Sequence, residues 1–278
     1  MNLTDIIIAI IYGLVEGITE WLPISSTGHL IILNDFLSFK EVNPSFFELF
    51  LVVIQLGAIF AVVVSYFKKL NPFSKKLEKE EKKSIYKTWI LILISCIPAA
   101  IVGLLFDDLL DKYLYNKLTV SITLIVYGIV FIILEYFNSK RQIKYEEVKD
   151  FTYKTALIIG LAQVLALIPG TSRSGITIIS ALLIGCSRKS SCEFSFFLSL
   201  PIMIGASLLK LVKYFIKGNL LTLNEGLVLF TGIIMSFAVS ILIINFLMNY
   251  IKKKDFKIFG YYRIILGIVL IFYMISMN

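Results

Sequence analysis

Charge is what this chain has least of: 17% of its 278 residues are Asp, Glu, Lys or Arg, while 58% are hydrophobic. A soluble domain carries about 25% charged and about 45–50% apolar residues, so an ordinary globular protein is excluded, and there is chain enough for several membrane crossings of about 20 residues each. Cysteine is scarce too. Cys96, Cys186 and Cys192 form an odd set without metal or disulfide spacing, which leaves three small buried side chains and no chemistry. The opening Met-Asn-Leu-Thr-Asp lacks basic residues and no small-residue cleavage site precedes Glu16, so the N-terminal segment is expected to be retained. The net charge of +8 comes without an aromatic-interleaved basic motif, which argues against nucleic acid. It falls in short loops between apolar runs, where it orients a protein in a bilayer.

Apolar runs over about 46–67, 89–106, 118–137, 194–216, 226–250 and 258–276 predict six spanning helices. Segments 3–37 and 155–186 are apolar but broken near the middle by Pro, Ser, Thr and Gly, which predicts two re-entrant helix hairpins whose loose backbone lines a polar cavity. The halves repeat. Gly13-Leu14-x-Glu16 resembles Gly160-Leu161-x-Gln163, Pro23-x-x-Ser26 resembles Pro169-x-x-Ser172, and Glu48 to Lys68 matches the spacing of Glu193 to Lys213. One all-α membrane domain is expected, with repeat 1 over about 1–140 and repeat 2 over about 150–278, each a hairpin plus three spans. Three is odd, so the second half enters from the opposite side, an inverted repeat with its site between the broken helices. With the first hairpin entering from outside, 20 basic residues, Lys140 and Arg263 among them, fall on one side and 6 on the other, which makes the richer side cytoplasmic. The Lys-rich stretch 68–87 reads as a solvated loop able to touch anionic lipid.

Residues 13–29 place Glu16, Glu20, Ser25, Ser26, Thr27 and the only histidine, His29, at membrane depth. Charged groups there cost about 2.5–3.5 kcal/mol each on insertion scales, so an intramembrane cluster is read as a functional site. Glu16 and Glu20, four apart, share a helix face, and such close like charges call for a cation, an arginine or a shared proton. Oxygen ligands favour Mg²⁺ or Ca²⁺. In the second hairpin, Pro169-Gly170-Thr171-Ser172-Arg173-Ser174-Gly175-Ile176-Thr177 sets hydroxyls around an arginine just before an apolar helix, an anion site in composition. Arg173 could alternatively pair with Glu16 or Glu20. Ser26 and His29 share a face if the helix restarts at Ser25 or Ser26. Nucleophile, base and charge clamp are then all present for phosphoryl transfer.

These residues resemble the bacterial undecaprenyl-diphosphatases of the bacitracin-resistance type, a family marked by Glu/Gln-x-x-x-Glu leading into Leu-Pro-x-Ser-Ser-Thr-Gly-His, and by Pro-Gly-x-Ser-Arg-Ser-x-x-Thr. The first pattern is met by Glu16 to Glu20 and Leu22 to His29, with Trp21 where Phe is usual, and the second by residues 169–177. The resemblance covers essentially the whole chain. It implies a multi-pass enzyme of the bacterial cytoplasmic membrane that removes the terminal phosphate of undecaprenyl diphosphate at the outer face, yielding the lipid carrier for peptidoglycan synthesis. On this reading Ser26 attacks, His29 acts as base or acid, and Glu16 and Glu20 hold a divalent cation or position water. Arg173, Ser172, Ser174, Thr177, Ser25 and Thr27 bind phosphate. Histidine as nucleophile and direct attack by water stay open. The partners are the polyprenyl diphosphate and membrane lipids, and a homodimer is left open. The rival reading is a transporter or flippase of polyprenyl phosphate lipids, since inverted repeats with broken helices are common among carriers.

Overall fold

The computed structural model describes residues 3–40, 42–138 and 141–277, so Met1, Asn2 and Lys140 fall outside it. Among the described residues the regular structure is helical. In order come α1 (Leu3–Thr19), α2 (Ser26–Phe36), α3 (Pro44–Val53), α4 (Gln55–Ser65), the short α5 (Phe67–Leu70), α6 (Lys79–Leu114) and α7 (Lys117–Asn138). They are followed by α8 (Tyr153–Gln163), α9 (Arg173–Ile184), α10 (Arg188–Ile216), α11 (Leu223–Tyr250) and α12 (Lys257–Met277). Short 3₁₀ turns occupy Val148–Asp150 and Val164–Leu167.

Six stretches are long and apolar enough to cross a bilayer: Ser45–Ser65, Lys79–Phe106, Lys117–Phe137, Arg188–Ile216, Leu223–Tyr250 and Lys257–Ser276. They coincide with the six apolar runs, and the protein is a multi-pass membrane protein. The first stretch differs from the expected single helix, because it is α3 and α4 meeting at Ile54. The two broken segments are likewise helix pairs, α1 with α2 and α8 with α9. One further correction concerns Arg263, which is not a loop charge but lies inside α12 with no exposed surface.

Apolar side chains gain nothing by leaving lipid for one another, so span association depends on close van der Waals contact, which small residues permit. Gly57 of α4 shows how close: a Cβ there would lie 2.1 Å from the carbonyl oxygen of Ile233 on α11. Between α7 and α12, Gly128 and Gly260 each face the other's carbonyl at a distance that excludes any side chain. The most extensive pairings are α7 with α12, α1 with α11, α4 with α11 and α6 with α8. α1 and α8 are thereby fixed against long spans, and the broken ends at residues 20–25 and 168–172 meet in the interior. Cys96, Cys186 and Cys192 are buried and free, as their spacing implied.

Candidate functional site

The two breaks share one construction. α2 and α9 each begin after a serine with left-handed backbone, Ser25 at φ 75° and Ser172 at φ 71°. Each serine caps its helix, accepting at Oγ from the amide of Gly28 at 3.3 Å and of Gly175 at 3.1 Å. A non-glycine residue held there costs about 1–3 kcal/mol and persists only where its surroundings impose it, a condition met most often at functional sites. The first turns of both helices line one cavity of about 190 Å³, with Glu20, Ser25, Ser26 and Thr27 on one side and Ser172, Arg173 and Ser174 on the other. Helix starts leave amides without intrahelical partners and carry partial positive charge, so two of them around one cavity suit an anion.

Glu20 is the hub. Its Oε1 accepts from Nη2 of Arg173 at 2.6 Å and its Oε2 accepts from Oγ of Ser26 at 2.6 Å. Arg173 also donates from Nη1 to the carbonyl of Ser195 at 2.8 Å, and its guanidinium lies 5.9 Å from the centre of the buried Trp21 ring. One carboxylate thus polarises a serine hydroxyl and holds an arginine against the same cavity. Of the two pairings left open, Arg173 takes Glu20. Ser174 Oγ donates to the carbonyl of Glu20 at 3.1 Å, which ties the start of α9 to the first break.

Other candidates stand elsewhere. Glu16 is fully buried and neither carboxylate oxygen has a partner. His29 holds no bond to Ser26. Its Nδ1 lies 2.7 Å from the carbonyl of Ser25, so Nδ1 carries the proton and Nε2 accepts from the Tyr262 hydroxyl at 2.6 Å. The Thr177 hydroxyl is spent on the carbonyl of Arg173 and on Ser195 Oγ, each at 2.8 Å, and does not line the cavity. Helical spacing put Ser26 and His29 on one face, but Ser26 sits in the first turn, where the chain doubles back on Glu20.

Tyr262, Gln163 and Arg263 were not among the expected site residues, although Gln163 was matched to Glu16 and Arg263 was counted as a loop charge. Gln163 lines the cavity and is buried with its Oε1 unpartnered. Arg263 carried a readable signal, since only four of 27 basic residues are arginine and it stands in an apolar run. A buried arginine at membrane depth is a functional candidate by default.

Comparison with known proteins places the chain in a family. The family described as "Bacitracin resistance protein BacA" matches residues 9–269. A protein of Enterococcus faecalis named undecaprenyl-diphosphatase is 59% identical over 265 residues, 95% of this chain and 96% of its own length. Proteins of the same name from Acetivibrio thermocellus and Limosilactobacillus fermentum are 53% and 52% identical, over 99% and 97% of this chain and the same shares of their own.

Proposed function

The chain belongs to the bacitracin resistance protein BacA family, and on that premise we propose that it is an undecaprenyl-diphosphatase: it hydrolyses undecaprenyl diphosphate to undecaprenyl phosphate and inorganic phosphate, and so returns the carrier to cell-wall synthesis. The observation that carries the chemistry is Glu20 bridging Ser26 and Arg173 at the cavity wall. Ser26 Oγ attacks the terminal phosphorus while Glu20 takes its proton and passes it to the oxygen of the departing undecaprenyl phosphate as the P–O bond breaks, which leaves a phosphoserine and Glu20 again ionised. Water then attacks phosphorus while Glu20 takes its proton, and the Ser26 oxygen leaves and receives that proton from Glu20 as inorganic phosphate is released. Arg173 and the first turns of α2 and α9 hold the equatorial oxygens, which is most of what phosphoryl transfer requires of a protein. His29 keeps Ser25 in its capping geometry through the Ser25 carbonyl. A carrier has no use for a serine hydroxyl directed at a carboxylate, and this favours the hydrolase.

Glu16 supports a cation requirement, because two buried carboxylate oxygens without partners are costly unless a proton or a metal meets them. Among the described residues no three of His, Cys, Asp and Glu gather to hold a metal alone. Glu16 and Glu20 would hold Mg²⁺ or Ca²⁺ only with phosphate oxygens and water completing the set, and the ion would then supply charge neutralisation for the phosphate.

The inverted repeat supplies the scaffold in this reading, with α1–α2 and α8–α9 as re-entrant hairpins. Ser25 and Ser172 share backbone and cap geometry, and the spacing between them also separates Gly13 from Gly160 and Glu16 from Gln163. This register pairs Ser25, rather than Ser26, with Ser172, and sets Ser26 opposite Arg173. Reciprocal ion pairs, Glu48 with Lys210 at 2.8 Å and Glu193 with Lys69 at 2.7 Å, join α3 and α5 to opposite ends of α10. The excess of basic residues expected on the other side supports an outer-face position for the hairpin of α1 and α2.

Purified protein in detergent should release phosphate from undecaprenyl diphosphate, lose this in Ser26→Ala and Arg173→Ala, and lose it on chelation with recovery on adding Mg²⁺ or Ca²⁺. Folded wild-type protein without release overturns the enzyme, and activity indifferent to chelator overturns the cation.

A further inference from the structure

We propose that Arg263 is a positioning residue for this site: one guanidinium, from a helix that contributes nothing to the cavity wall, ties the two breaks together so that Ser26 and Arg173 face each other. Arg263 has no exposed surface. Among the described residues its hydrogen bonds all go to backbone carbonyls: Nη1 to Pro23 at 3.2 Å, Nη2 to Gly170 at 2.7 Å and to Thr171 at 3.0 Å. Pro23 and Gly170 stand at matching places, each two residues before the left-handed serine that starts the next helix. The same side chain therefore holds the last turn of chain before Ser25 and before Ser172.

The choice of arginine follows from this task. Carbonyls stranded in a break at membrane depth have no helical partner and no lipid partner, and each must be satisfied from within the protein. A planar fork of five donors reaches acceptors on two segments at once, whereas lysine is a point charge on a flexible stem. The guanidinium carbon lies 5.8 Å from the centre of the Tyr127 ring. Below, α12 is locked to α7 through Gly128 and Gly260, so the guanidinium is mounted on the most extensive helix pairing among the described residues. Gly170 itself has φ 86° and no room for a side chain, since a Cβ would meet Thr123 Oγ1 at 2.1 Å, so the second break is pressed against α7 where Arg263 can grip it. The charge also stays close behind two helix starts, adding to the field that draws a diphosphate.

The inference rests on the hydrolase reading for its kinetic test but carries a second readout free of it. In Arg263→Lys, kcat should fall about 100-fold with KM changed less than about threefold, because displacing reacting groups by about 1 Å costs rate rather than lipid binding. Combined with Arg173→Lys, the loss should be smaller than the product of the single losses, since both act on the same alignment. Independently of turnover, the thiol introduced by Ile24→Cys, at a buried position beside Pro23, should resist a maleimide in the parent and label readily once Arg263→Lys is added; the three native thiols are buried. If Arg263→Lys does not yield monodisperse protein, Arg263→Gln, which leaves no buried charge, takes its place in all three measurements. Near-parental kcat, losses that multiply, or unchanged labelling would each overturn the proposal, as would failure of both variants to fold, which makes Arg263 a folding residue. Wild-type protein that releases no phosphate sinks the hydrolase reading, and the labelling result then decides Arg263 alone.

Discussion

Glu20→Gln is the most searching single change available, because one atom replacement strikes two bonds of opposite consequence. In the parent, Oε1 holds Arg173 and Oε2 accepts the Ser26 proton, both at 2.6 Å, with carboxylate and guanidinium largely buried. A glutamine has one acceptor. If its oxygen turns to Arg173, its NH₂ meets Ser26 Oγ and forces the hydroxyl to accept rather than donate; if it turns to Ser26, its NH₂ confronts the guanidinium. Either way the serine has no base. Removing a positioned general base costs about 10²–10⁴ in rate, or about 3–5 kcal/mol of barrier. The second consequence is structural. Leaving Arg173 without its carboxylate exposes the penalty of a buried unpaired charge, about 3–5 kcal/mol where one partner of such a pair is removed. The Arg173 bond to the Ser195 carbonyl and its place over Trp21 stay, so the low end of that range is expected. Phosphate release from undecaprenyl diphosphate should therefore drop about 1,000-fold in Glu20→Gln, with a lowered melting temperature in detergent. Glu20→Gln protein that keeps more than about a tenth of parental kcat while remaining folded would refute Glu20 as the base and return that role to His29.

The bonds of His29 lead to a smaller effect: Tyr262→Phe removes one hydrogen bond of about 0.5–1.5 kcal/mol, so kcat should fall about tenfold at most, and a loss equal to that of Glu20→Gln would put His29 in the proton transfer. Gly57→Ala should lower the melting temperature by the equivalent of about 1–3 kcal/mol, because its methyl group collides with the Ile233 carbonyl, whereas Gly205→Ala, which meets nothing, should not; thermal unfolding in detergent tells them apart, and equal melting temperatures would discount the α4–α11 contact.

The parts of this protein that announce themselves along the chain are those with a local cause. Spans are legible because crossing hydrocarbon needs about 20 apolar residues in a row, and all six were visible, although the polar starts of α6 at Lys79 and α10 at Arg188 lay before the apolar runs that marked them. The broken segments and the cluster from Glu16 to His29 stand out because polar groups at depth are costly and so are rare unless used. Even the Arg173–Glu20 bond lay among the pairings that charge alone allowed.

Partnership is another matter. Whether Ser26 finds Glu20 or His29 turns on how α2 restarts after Ser25, and both candidates lie close enough in sequence to serve. His29 reaches Tyr262 across 233 residues, and Arg263 reaches Pro23 across 240, contacts that leave no periodicity behind them. A hydrogen bond forms with whichever acceptor arrives within about 3 Å. That arrival is set by helix faces meeting at glycines such as Gly57, Gly128 and Gly260, so composition chose the residues of the site and packing chose their neighbours.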